Sequence, residues 1–497
     1  MLFCIMIASF MQVLDQTIAN VALPHMQGSL QANRDEITWV LTSYVLAAAV
    51  MTPPVGWLAS RFGRKNILIV SLIGFTTTSA LCGAAQSLDE MVLFRLLQGA
   101  FGAAISPVTQ SIIFDRFPLE QRAKVMSLWA MVVLLGPVIG PTLGGWLTES
   151  MSWRWVFFIN VPFGLLSTLG IAFFLTRSRR PHVQRFDSFG FAVICIALCS
   201  LQLALDRGTT KGWLESPEIV IEFAIAALAS YLFAVHFFTS SDSIFPRQMF
   251  FDRNFVSASV LTFTLAGLLL ASSALLPPFL QTGAGYSVLD AGWMMAPRGF
   301  GGVLAMVFVG RVTAKTDLRY LVVGGSVVLI ATFYEMSRWT PDINPIVIGM
   351  TTAVQGFAIS FVFIPANLLA FATLPAPLRT DGAAFMNLNR QMGSAVGVSL
   401  TTTVISTMTQ VAHANLSWDV TPFNRALSFG AGGMYWNLKI PMGVEGIAGV
   451  VDRNATTIAY SDTFLLMFFM SWIVPIMAFM LRPSSPAAPP GPTEIME

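Results

Sequence analysis

Apolar runs of about 20 residues recur from one end of the chain to the other, separated by short polar stretches. A run of that length crosses the hydrocarbon of a bilayer as an α-helix. The pattern predicts fourteen spans, near 1–22, 37–58, 66–86, 90–113, 123–147, 155–175, 189–206, 217–238, 255–278, 291–311, 319–338, 343–367, 382–407 and 459–481. The first run has no basic segment before it, shows no small-residue cleavage site and carries Asp15. It therefore reads as a span and not as a signal peptide.

Composition agrees with the pattern. The 497 residues are 55% hydrophobic and 11% charged, against about 25% charged in a soluble domain. The expected fold class is an all-α polytopic membrane protein. Cys4, Cys82, Cys195 and Cys199 all fall inside predicted spans, so no disulfide framework is indicated. The net charge of +2 says little, and the distribution of charge says more. Arg61, Arg64 and Lys65 follow span 2, and Arg116, Arg122 and Lys124 follow span 4. Arg177, Arg179, Arg180 and Arg185 follow span 6, and Arg311, Lys315 and Arg319 follow span 10. The loop after span 3 holds only the acids Asp89 and Glu90. Basic loops stay in the cytoplasm, which puts both termini there. Residues 176–188 and 239–254 are expected to be cytoplasmic connections, and 408–458 a long outer loop with Trp418, Tyr435 and Trp436.

Asp15 is the polar group that the apolar pattern least tolerates. A carboxylate at mid-membrane costs roughly 3 kcal/mol and signals function by default. Gln12 shares its helical face, and Gln16 and Asn20 add polarity beside it. On span 4, Arg95, Gln98, Gly102, Ser106 and Thr109 form one polar and small stripe. Counting helical rise from the ends of spans 1 and 4 places Asp15 and Arg95 within about one turn of the same depth. That allows an ion pair, direct or through Gln98.

On span 5, Gly136, Gly140 and Gly144 leave one face bare, and Pro137 and Pro141 remove backbone donors. A tight seam between two halves is expected along that face. After span 2 comes GWLASRFGRK, from Gly56 to Lys65, with Ser60, Arg61, Gly63 and Arg64 inside it. A weaker copy, GRVTAKTDLR, begins at Gly310 after span 10. Repeated halves around a central site are a transporter architecture.

These stretches together resemble the major facilitator superfamily, and within it the fourteen-span drug–proton antiporters of the EmrB/QacA type. The segment LDQTIANVALP from Leu14 resembles that branch's first-span signature, and RLLQGAFG from Arg95 its proton-transfer motif. LGPVIGPTLGG from Leu135 resembles the antiporter motif of exporters. WRWVFFINVPFG from Trp153, FDSFG from Phe186, APRGFG from Ala296 and NLNRQMG from Asn387 match further segments of the branch. One position departs: the family usually carries an acid where this chain has Ser60. That acid is thought to latch the halves together, so a weaker latch is expected, with Asp115 available to pair with Arg61 or Arg64.

The resemblance implies two six-helix bundles, 1–176 and 255–481, with a basic linker and spans 7 and 8 inserted at 177–254, and a cytoplasmic tail at 482–497. It implies export of small lipophilic compounds across the bacterial inner membrane, coupled to protons through Asp15 and Arg95. Gln12, Gln16, Asn20, Gln98, Arg298, Asn387, Arg390 and Gln391 are the candidate cavity residues. Arg95, Arg298 and Arg390 outnumber the one clear intramembrane acid, which favours neutral or weakly acidic lipophiles as cargo. A proton gradient replaces any cofactor, and there is no Walker loop for a nucleotide. No enzyme constellation, metal site or nucleic-acid surface is expected. A periplasmic adaptor and an outer-membrane channel are implied partners. A proton-coupled nutrient importer and a non-transporting sensor on the same fold are the alternative functions.

Overall fold

The computed structural model describes residues 1–33, 36–175, 185–240, 243–312, 316–418, 420–421 and 441–482. Arg177, Arg179, Arg180, Lys315, Tyr435, Trp436 and the tail after Arg482 lie outside the described residues. Among the described residues twelve helices are long and apolar enough to cross a membrane, a bent pair makes a thirteenth, and the helix Leu119–Ser150 stands where the fifth span is expected, so the numbers used above are kept. Span 1 is Leu2–Ser29, and span 2 is Glu36–Met51 bent by 58° into Val55–Phe62. Spans 3, 4 and 5 are Arg64–Ala84, Leu88–Arg116 and Leu119–Ser150. Spans 6, 7 and 8 are Trp155–Phe174, Ser188–Lys211 and Pro217–Thr239. Spans 9 to 12 are Arg253–Gln281, Asp290–Val312, Leu318–Met336 and Pro345–Ala372. Span 13 is Arg379–Trp418 and span 14 is Pro441–Met480.

The helix ends follow local chemistry. Ser87 accepts from the Glu90 backbone NH, and Asp252 accepts from the NH groups of Asn254 and Phe255. These side chains fill donors that a first helical turn leaves open. Gly63 has φ of 86°, so it permits the turn from span 2 into span 3 that a Cβ would strain.

Spans 1 to 6 pack among themselves, as do spans 9 to 14. Spans 7 and 8 pack on each other, and span 7 leans on spans 2 and 13. Thr42 donates to Asp206 at 3.0 Å, and Ser399 donates to the Leu205 carbonyl at 3.0 Å, fixing the inserted pair to both bundles. Leu228, Tyr231 and Phe238 of span 8 are exposed, as suits side chains facing lipid.

The described residues at both ends of the expected outer loop 408–458 are helical. Span 13 continues to Trp418 and span 14 begins at Pro441. The two extensions form a projection in which His413 meets Asp452 at 3.2 Å. Hydropathy marks where a helix leaves the hydrocarbon, whereas backbone hydrogen bonding carries the helix on into water.

Candidate functional site

Asp15, Arg95, Gln98 and Asn160 converge in the N-terminal bundle, each 0% or 1% exposed. Arg95 Nη1 donates to Asp15 Oδ2 at 2.7 Å. Gln98 Nε2 and Asn160 Nδ2 donate to Asp15 Oδ1 at 2.9 and 2.8 Å. The same guanidinium donates to Gln98 Oε1 at 2.9 Å and, through Nε, to the Val40 carbonyl at 2.9 Å. Its flat face lies 4.4 Å from the Tyr44 ring centre, within cation–π range. A buried ion pair holds only when its remaining donors and acceptors are also filled. Here each carboxylate oxygen has a donor, and the arginine spans spans 1, 2 and 4.

Asn160 was absent from the sequence-derived site residues. It stands at the start of the long segment of span 6 and is held by Ser79 Oγ at 3.0 Å, which in turn donates to the Phe157 carbonyl at 2.9 Å. The available signal was a polar residue inside the matched segment beginning at Trp153. Gln12 makes no hydrogen bond to Asp15. It accepts from Ser106 Oγ at 2.6 Å, beside a Ser9–Thr109 contact at 3.1 Å. Gln16 is half-buried and Asn20 exposed, and neither hydrogen-bonds to Asp15.

The glycine face of span 5 does not form the seam between halves that was expected. It packs on span 1, in the same bundle. A Cβ at Gly136 would lie 2.6 Å from Val13 Cγ1, one at Gly140 2.3 Å from Thr17 Oγ1, and one at Gly144 2.9 Å from the Ile18 carbonyl. Thr17 Oγ1 also lies 3.3 Å from the Gly136 carbonyl. This close approach brackets Asp15 on span 1. Span 5 runs as one helix through Pro137 and Pro141, whose side chains lie outside the described set.

The two bundles meet firmly at the basic face. Asp115 bridges Arg64 of the first bundle and Arg379 of the second, the latter at 3.5 Å. Arg64 Nε donates to Thr380 Oγ1 at 3.0 Å, Ser111 meets Thr380 at 2.8 Å, and the Phe114 and Phe371 rings lie 4.5 Å apart. Arg61 packs over Trp57 and does not join the bridge. Ser60 turns its hydroxyl onto the Trp57 carbonyl at 2.8 Å. Gly56 abuts Asp381 so closely that a Cβ there would fall 1.5 Å from Oδ1. An acid is thus present at this joint, but it comes from span 13. The expected pairing of Asp115 with Arg64 is present, and the same carboxylate reaches Arg379 of the second bundle.

In the second bundle the polar residues stay apart from Asp15. Arg298 donates to Ser273 Oγ at 2.7 Å, Ser272 Oγ at 3.2 Å and Gln355 Oε1. Arg390 donates to Asn387 Oδ1 at 2.7 Å, and Gln391 Oε1 is buried without a partner.

Residues 5–398 match the family model described as Major Facilitator Superfamily. The chain belongs to the major facilitator superfamily. It is 35% identical over 422 residues to the multidrug export protein EmrB of Haemophilus influenzae, covering 84% of this chain and 82% of that one. It is 32% identical over 423 residues to the fatty acid resistance protein FarB of Neisseria gonorrhoeae, covering 85% and 83%. The solved proton:xylose symporter XylE superposes with a TM-score of 0.58 at 15% identity, covering 95% of each chain, and shares the fold. This facilitator is therefore a multi-pass transporter of the drug-exporter branch, and the closed basic face is a joint between its two bundles.

Proposed function

We propose that this transporter exports small lipophilic compounds from the cytoplasm in exchange for protons, with Asp15 as the coupling acid. The observation that carries the reading is the sealed ion pair of Asp15 and Arg95, braced by Gln98 and Asn160. Relatives named for multidrug export and for fatty acid resistance support lipophilic cargo. The Lys and Arg distribution supports a cytoplasmic basic face and cytoplasmic termini, and the bacterial sources of its export relatives support residence in a bacterial inner membrane.

The cycle follows from the pair. With the basic face shut, a proton arriving from the outer side neutralises Asp15 and releases Arg95. The freed guanidinium then needs another acceptor, which rearranges spans 1 and 4 and favours opening of the basic face. Loss of the proton to the cytoplasm restores the pair as cargo loads. Each charge moved is worth about 2.3 kcal/mol per 100 mV, enough to drive a gradient of a few tens-fold. The proton gradient is the energy source, and no cofactor enters the cycle. The helical projection at Trp418 and Pro441 is the element that a periplasmic adaptor, leading to an outer-membrane channel, would meet.

The test uses everted vesicles, loaded with a proton gradient and given a lipophilic dye. Cargo-dependent proton release that disappears in Asp15→Asn supports the reading. Proton-driven uptake in right-side-out vesicles would make the protein an importer instead.

A further inference from the structure

Asp15 is held by three side chains, and all three donate to it. Arg95 Nη1 faces Oδ2, while Gln98 Nε2 and Asn160 Nδ2 face Oδ1 at 2.9 and 2.8 Å. That arrangement fits a carboxylate, which only accepts. A protonated carboxyl carries a hydrogen of its own and needs an acceptor for it. Oδ2 faces the arginine cation, so Oδ1 is the oxygen that takes a proton at lower cost. As the groups stand, the new O–H would meet two amide N–H donors.

The three donors differ in what they can offer instead. A guanidinium has no acceptor. The Gln98 carbonyl oxygen is already spent, accepting from Arg95 Nη1 at 2.9 Å and from Cys82 Sγ at 3.6 Å. Turning that amide would set its N–H groups against the guanidinium. Asn160 is different. Its amide nitrogen donates to Asp15 Oδ1 and to Ser79 Oγ at 3.0 Å, but its Oδ1 is buried and makes no hydrogen bond among the described residues. Native folds rarely leave such an oxygen empty. No donor holds the carbonyl end of this amide in place. The two ends have nearly the same shape, and the last torsion of an asparagine is broad and roughly two-fold, so a half-turn displaces no neighbour.

We propose that Asn160 is the hydrogen-bond partner of Asp15 in both of its protonation states, and that its side-chain amide makes a half-turn when the proton binds. The proton forms a bond to Asp15 Oδ1, and the carboxylate loses its charge. Asn160 Oδ1 takes the place of Nδ2, 2.8 Å from Asp15 Oδ1, a length that suits O–H···O. The turn reaches Ser79 as well. Ser79 Oγ then stands 3.0 Å from an oxygen, so its hydrogen leaves the Phe157 carbonyl, to which it now donates at 2.9 Å, and points at Asn160 Oδ1. Span 3 thereby lets go of the short turn Trp155–Phe158 that leads into span 6. The amide hydrogens come to face the side on which Oδ1 has no partner, so the protonated site is less completely filled than the ionised one and favours rearrangement. The assignment rests on the reading of Asp15 as the coupling acid and names the group that senses its proton.

The test is infrared difference spectroscopy, acid minus alkaline, on the full-length protein in proteoliposomes, with a heavy-carbon label only in the asparagine side-chain carbonyls. Wild type should show an Asp15 acid carbonyl band that is absent in Asp15→Asn. With it, one labelled amide carbonyl should fall in frequency as it gains hydrogen bonds. Asn160→Gln keeps an amide but carries no label, so it should erase that amide signal and thereby assign it. Asn160→Leu removes the acceptor, so the Asp15 acid band should move to higher frequency. If Asn160→Leu does not fold, the labelled wild type and Asn160→Gln decide the matter. Ser79→Ala should shrink the amide shift, because the hydrogen from Ser79 is gone. A merely structural asparagine would give an Asp15 acid band with every labelled amide unmoved, and that result overturns the proposal. So does an acid band at the wild-type frequency in folded Asn160→Leu. A spectrum with no Asp15 acid band at any pH fails differently, since it removes Asp15 as the coupling acid and the proposal with it.

Discussion

Asp15 and Arg95 lie 2.7 Å apart with their side chains 0% and 1% exposed, so the central charge of this transporter is sealed from both sides of the membrane. Removing one member of such a pair leaves the other charged and unanswered, at a cost of about 3–5 kcal/mol. Asp15→Asn should therefore lose cargo-coupled proton flux and also melt at lower temperature. Arg95→Lys should do worse than a conserved charge suggests, because one ammonium cannot reach Asp15, Gln98 and the Val40 carbonyl from a fixed fork. Proton flux in liposomes and thermal unfolding in detergent check both variants. Wild-type coupling in Asp15→Asn would remove Asp15 from the mechanism.

Asn160 braces the same carboxylate. Its amide donates to Asp15 Oδ1. Asn160→Ala removes that donor and leaves Gln98 alone on the oxygen, at a cost of about 1.5–3 kcal/mol for a hydrogen bond to a charged group. The variant should melt at lower temperature and lose part of the cargo-coupled proton flux. Thermal unfolding in detergent and proton flux in proteoliposomes check it, and wild-type values of both would remove Asn160 from the network.

The span 5 glycines give a graded test of close packing. Gly140→Ala places a methyl 2.3 Å from Thr17 Oγ1, whereas Gly145→Ala meets nothing nearer than 3.8 Å. The first should destabilise by about 1–3 kcal/mol and the second by under about 0.5 kcal/mol. Thermal unfolding of the two variants reads the difference. Because the seam touches span 1 beside Asp15, Gly140→Ala should also impair coupling, while equal effects at both positions would contradict the packing described.

The coupling pair was legible in the sequence because helical rise converts residue counts into depth, and spans 1 and 4 have clear ends. Asn160 was not, since a short helical turn at Trp155–Phe158 precedes it and its depth could not be counted. The spacing of Gly136, Gly140 and Gly144 announces a bare face but not the neighbour that fills it, which is why span 1 and not the other bundle came as a correction. Likewise Ser60 reported a missing acid, and only the fold could bring Asp381 from span 13 to Gly56. Hydropathy located spans 13 and 14 but missed their extensions, where polar side chains suit water and the backbone stays helical.

The contact of Gly56 with Asp381 yields the sharpest test of the joint between bundles. Gly56→Ala puts a Cβ where Asp381 Oδ1 now lies, so the carboxylate must turn away or the two bundles must part. The basic face is held by Asp115 with Arg64 and Arg379, all close by in the same joint. The substitution should therefore shift the protein toward the state open at the basic face, seen as faster thiol labelling of a cysteine introduced on the cavity side of that joint. Asp381→Ala in the same chain removes the obstructing carboxylate and should restore slow labelling, a coupling that two independent changes would not show. Ser60→Asp should act the other way and favour the outward-open state, by adding an acid to the basic segment that holds Arg61, Arg64 and Lys65. Labelling that is unchanged in Gly56→Ala, or additive in the double variant, would place the conformational control elsewhere than in this contact.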